Sequence, residues 1–185
     1  MIPISTVFGS SLILFGLIGS LRGWAKEIIV AFSVILALFV EHVLVTFMLP
    51  MVGIQFDTWP QPSQFYIRVA LFVVLAIFGY ASPTLSSKLG SKVARENLQD
   101  FLLGLFLGLI NGFLIIGSIF SFLHVANYGV TAENPAGIWG IVAPAPESAS
   151  AELINYLPPQ LIADSSAMLY VAVAAAFVFV IIVFV

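Results

Sequence analysis

The first apolar run, Ile4 to Ile18 with Ser and Gly interspersed, stops at Gly19-Ser-Leu-Arg22-Gly23-Trp-Ala-Lys26-Glu27, and a second run resumes at Ile28. A hydrophobic run that halts on a basic, glycine-containing turn and restarts at once is the pattern of a helical hairpin through a bilayer. The first run is barely long enough against the roughly 20 residues that a perpendicular span needs, so it is expected to draw on both flanks. The second reaches about Leu49, where Pro50 is expected to end it, because proline cannot donate and its ring clashes with the preceding turn. Met51 to Gln64, with Asp57, Trp59, Pro60 and Pro62, reads as a polar loop with its Trp at headgroup level. A third run spans Phe65 to Tyr80. Ser82-Pro83 then resembles an N-cap followed by proline at a first helical position. Beyond it Leu85, Leu89 and Val93 recur at four-residue spacing beside Lys88, Lys92 and Arg95, as in a short amphipathic helix lying in the interface; a plain basic loop is the alternative. Asp100 opens a fourth run, Phe101 to Val125, where a carboxylate suits a helix N-terminus. The stretch 127–165 is acidic and proline-rich and reads as a long extramembrane loop, with Ala149 to Tyr156 able to make a helical turn or two. The stretch 166–185 is apolar again and reads as a fifth helix; it stops without a polar flank, which suggests further chain beyond it. The N-terminus lacks a basic region and a cleavage signature, so the first helix is expected to be retained.

Composition makes this pattern decisive. At 61% hydrophobic and 8% charged residues over 185 positions, with a mean hydropathy of +1.14, the chain lies far from the soluble average of roughly half apolar and a quarter charged. The fold class is therefore all-α: a polytopic transmembrane bundle of about five spans plus the interfacial helix. The domains are a four-helix region over 1–126, the acidic loop and the fifth helix. The net charge of -3 conceals an asymmetry, because all six Lys and Arg precede residue 96 and the segment after 126 carries only acids. No basic surface is large enough to neutralise several phosphates, which excludes nucleic acid as a partner. The absence of cysteine excludes disulfides and thiolate chemistry. Counting basic residues in the connections puts Arg22 and Lys26, and Lys88, Lys92 and Arg95, on the cytoplasmic side, with the N-terminus and the acidic loop outside. The same cations are candidates for anionic lipid headgroups.

Three groups of residues invite a sharper reading. Gly104, Gly108 and Gly112 recur every four residues and so share one helix face, where missing side chains admit a second helix from within the protein or from another copy. Glu27, one turn after Gly23, is placed to favour the dipole of the second helix and to pair with a nearby base; capping is the favoured role and proton chemistry the alternative. Glu41 and His42 lie in an apolar run, with His124 at similar depth, which permits a shared site for a metal, a proton or a pigment's central ion; near the outer headgroups the cost of their charge is small. No nucleophile–base arrangement, phosphate-cradling loop, zincin spacing or paired carboxylates occur. The expectation is a protein that is not an enzyme and holds no cofactor.

Gly19-x-x-Arg22-Gly23-x-x-x-Glu27 and, entering the fourth run, Asp100-x-x-x-Gly104-x-x-x-Gly108-x-x-x-Gly112 together resemble the colicin V production protein family of bacterial inner-membrane proteins, over residues 4 to 125. Two departures are visible. Met1 to Val7 lacks the acid that often opens the family's first helix, and Asn111 stands where members often carry a base. The resemblance implies a small multi-pass inner-membrane protein associated with peptide-toxin export and envelope maintenance, acting through lipids and other membrane proteins or copies of itself. The competing readings are an accessory subunit at the periphery of a large respiratory or photosynthetic complex, which the 17 Phe suit, and, less favoured, a small channel or transporter.

Overall fold

A computed structural model of the chain describes residues 3–81, 97–163 and 166–184, and every described element is helix or turn. Among the described residues, four helices are long and apolar enough to cross a membrane. The first, α1 (Ile4–Arg22), does extend beyond its apolar run, and one residue later α2 (Trp24–Val43) begins. Pro50 does not end this second span. The backbone widens into a π turn over Leu44–Met48, with the N–H of Leu49 reaching back to the Leu44 carbonyl, and then continues as α-helix through Leu49–Met51. In a regular α turn the proline ring would strike the carbonyl four residues earlier; the wider turn makes room for it.

The third span, α3 (Gln61–Tyr80), starts earlier than the hydrophobic pattern indicates, because Pro62 sits in its first turn, where a missing N–H costs nothing. The fourth, α4 (Asn97–Val125), has 29 residues. At 1.5 Å per residue it is roughly 43 Å long, longer than the hydrocarbon core of about 30 Å. The expected interfacial helix, with Lys88, Lys92 and Arg95, lies outside the described residues. The fifth run forms the helix Ser166–Phe184.

The acidic segment is folded back on the bundle. Beyond the turns Asn127–Gly129 and Ile138–Gly140 it contains two short helices, α5 (Ala149–Ile154) and α6 (Pro158–Ala163), so that α7 is Ser166–Phe184. Ser148 caps α5 by accepting from the Ala151 N–H at 3.2 Å. Three contacts tether the segment. The Ser5 N–H donates to the Ser150 hydroxyl oxygen at 3.2 Å; the Trp139 ring meets the fully buried Phe65 ring edge-on at 5.3 Å; and Leu157 and Pro158 are buried against α4 at Gly117. Glu133, Glu147 and Glu152 all remain on the exposed side.

The core lies where α4 meets α1 and α2, and α2 meets α3. It is built from Phe8, Val30, Val34, Phe65, Phe72, Phe122 and Leu123. Large apolar side chains also cover the outside, among them Ile13, Leu17 and Leu21 on α1 and Val74 and Phe78 on α3. A bilayer is the solvent that such a surface requires.

Candidate functional site

The first two helices join at Gly23, whose backbone takes φ +85°, a region open to glycine and strained for other residues. Space imposes a second constraint there. A Cβ on Gly23 would lie 2.8 Å from Oδ2 of Asp100, while Oδ1 of the same carboxylate accepts the Trp24 N–H at 3.2 Å. Asp100 therefore caps α2 from across the bundle, supplying an acceptor and a negative charge at the positive end of the helix dipole. Asp100 lies in the first turn of its own helix, as expected, and serves a neighbouring helix as well. Glu27 lies in the first turn of α2, as expected, but the cap on the Trp24 N–H comes from Asp100.

Glu27 points into the bundle and is 1% exposed. Its Oε1 pairs with Nη1 of Arg22 at 2.6 Å, and its Oε2 accepts from Nδ2 of Asn111 at 2.8 Å. The same Asn111 amide also donates to the Glu27 backbone carbonyl at 2.8 Å. Asn111 is completely buried, and its Oδ1 has no partner among the described residues. The Arg22 guanidinium lies over the Tyr80 ring, 4.5 Å from its centre. One chain of contacts thus joins α1 (Arg22), α2 (Glu27), α3 (Tyr80) and α4 (Asn111). A buried ion pair contributes little net stability unless its remaining hydrogen bonds are made, and removing either member is costly.

Immediately beside this network, α1 and α4 touch backbone to backbone. A Cβ on Gly19 would lie 2.7 Å from the Cα of Gly108, and one on Gly104 would meet the Gly19 carbonyl. One on Gly112 would lie 2.7 Å from Cβ of Phe15. The face formed by Gly104, Gly108 and Gly112 is therefore occupied by this chain's own α1. Of the expected cations, Arg22 is engaged by Glu27 and Tyr80, Lys26 is exposed, and Lys88, Lys92 and Arg95 lie outside the described residues.

At the other end of α2, Arg68 pairs with Glu41 at 2.5 Å and lies over the Phe56 ring. The remaining residues of the expected polar site go separate ways: His42 meets the Phe47 ring, and Nδ1 of His124 contacts the Tyr128 hydroxyl at 3.2 Å. Burial pushes the Tyr128 phenol up to about 12, so it stays protonated in that contact. Among the described residues no group of three or more His, Asp or Glu is placed to hold a metal ion. The residues that sequence reasoning missed are Arg68, as the partner of Glu41, and Asn111. The signal for Asn111 was present, since an amide in an apolar helix three residues after Gly108 lies close to the glycine face.

The arrangement directs charge inward and pairs it, which fixes helices relative to one another at both ends of α2. The family model described as colicin V production protein matches residues 4–135, the stretch that contains both ion pairs and the glycine seam. No curated protein and no solved structure gives a match.

Proposed function

The chain belongs to the colicin V production protein family, and from that premise we propose that it is a non-enzymatic inner-membrane protein supporting peptide-toxin export or envelope homeostasis through lipid and protein contacts. The observation that carries this reading is the use made of the buried charge. Glu27 and Glu41 are each held by an arginine. The outer faces of α1 and α3 are apolar, so contact with lipid or with other membrane helices is the chemistry left to the surface. The basic turn at Arg22 and Lys26 is taken as cytoplasmic and the folded acidic segment as extracytoplasmic, following the bias of basic residues. A second reading, as an accessory subunit of a larger complex, is favoured by α7, whose Val171, Phe177 and Val178 are exposed.

Co-purification from native membranes without overexpression separates the two. Solitary or self-associated migration supports the freestanding protein, whereas stable stoichiometric association with one large complex supports the subunit. Because the chain has no cysteine, orientation can be read with single-cysteine variants. Glu133→Cys should react with an impermeant reagent added outside and Lys26→Cys should not; the reverse pattern inverts the topology.

A further inference from the structure

We propose that the groove between α1 and α3 binds one anionic phospholipid from the leaflet that holds the Gly23 turn, with an acyl chain in the groove and the phosphate at Arg22. The groove encloses about 250 Å³ and is walled by Phe15 and Ile18 of α1 and by Val73, Ile77 and Tyr80 of α3, with Ile115 of α4 also lining it.

Its depth selects the occupant. From Tyr80 to Val73 is seven residues of helix, roughly 10 Å at 1.5 Å per residue, which is less than the half-thickness of about 15 Å for one leaflet. A partner helix would seek a contact surface through both leaflets, whereas a lipid chain needs only one. The polar end selects the headgroup. Tyr80 lies at the C-terminus of α3, and its hydroxyl is buried with no hydrogen-bond partner among the described residues, so the headgroup contact falls to Arg22. Arg22 lies over the Tyr80 ring with 24% of its side chain exposed, and holds Glu27 through Nη1. A guanidinium carries five N–H donors, so it can serve a second acceptor as well. Of the nearby acids among the described residues, Glu27 is 1% exposed, and half-buried Asp100 accepts the Trp24 N–H through Oδ1. The Arg22 guanidinium reaches the surface at this end of the groove while its partner Glu27 is held inside, which is complementary to a phosphate.

The proposal gives the lipid contacts of the preceding reading a defined site. It is tested on purified protein, so its failure would leave the family role standing, and loss of that role would leave the site standing. The protein is reconstituted with equimolar phosphatidylglycerol and phosphatidylcholine, stripped with detergent, and its retained lipid counted by native mass spectrometry. One phosphatidylglycerol per chain is expected, falling at least tenfold in Ile77→Trp, an exposed position that accepts the ring without disturbing the core. Ile18→Trp, on the opposite wall, should do the same, and both should keep the wild-type melting temperature. Arg22→Gln should abolish the preference for phosphatidylglycerol; should that variant not fold, Arg22→Gln/Glu27→Gln, which leaves no buried carboxylate unpaired, should abolish it instead. The proposal is overturned if the wild type retains no lipid, if it retains both lipids equally, or if neither Trp variant changes retention. A disulfide between two copies carrying Ile77→Cys would put protein in the groove and overturn it as well.

Discussion

Gly23 has no good substitute, because a left-handed backbone and the Asp100 carboxylate meet at the same atom. Gly23→Ala should incur about 1–3 kcal/mol for the backbone conformation and a further ~1 kcal/mol as the displaced Asp100 releases the cap on α2. Thermal unfolding in detergent should show the loss, and Asp100→Asn, which keeps an acceptor, should be milder than Asp100→Leu. Asn111→Leu removes the donor from both the Glu27 carboxylate and the Glu27 carbonyl in a buried setting. It should lower stability by about 1–3 kcal/mol, measured in the same way, and an unchanged melting temperature would mean that the network is incidental. At this scale the sequence marks positions well and partners poorly. Gly23, Glu27 and Asp100 stand out by spacing, but spacing reports a helix face. The partners lie 76 residues away for Trp24 and Asp100 and 84 for Glu27 and Asn111, and no local periodicity encodes a contact of that range.

Helices α1 and α4 approach so closely that side-chain volume on their shared face decides whether they pack at all. Gly108→Leu would drive its side chain into the backbone of Phe15, Gly16 and Gly19. The expected result is loss of a monodisperse folded species on gel filtration. Gly9→Leu is the control: it adds the same volume to α1 where nothing lies within 4 Å of the Cβ position, and should elute like the wild type. The register of Gly104, Gly108 and Gly112 was legible because a four-residue repeat stays on one face. That α1 covers this face was not, since Gly16 and Gly19 are three residues apart in a run that already carries Ser and Gly. Pro50 was misread for a related reason. Its rule describes a regular α turn, and the chain avoids the clash by widening the turn to π geometry over Leu44–Met48.

The whole molecule is a helical bundle pinned at both ends of α2, by Arg22–Glu27 at one and Arg68–Glu41 at the other, with the acidic segment docked across the second end. Arg68→Gln should expose the consequence of leaving Glu41 buried without its counter-charge, as a fall in melting temperature that the double variant Arg68→Gln/Glu41→Gln partly restores. The bundle class was legible from the apolar runs and the composition together. The docked segment was not, because Ile138 and Leu157 stand in short apolar groups among prolines and acids with no sustained period, and such a pattern cannot be told from an undocked loop. The central claim is that charge buried around Glu27 locks the four helices from within and so leaves the surface to lipid and partners. A double-mutant cycle on Arg22→Gln and Glu27→Gln, by thermal unfolding in detergent, tests it most directly. The account predicts a coupling of about 1–3 kcal/mol, the double variant being less damaged than the two single losses added together. Strictly additive losses would contradict it.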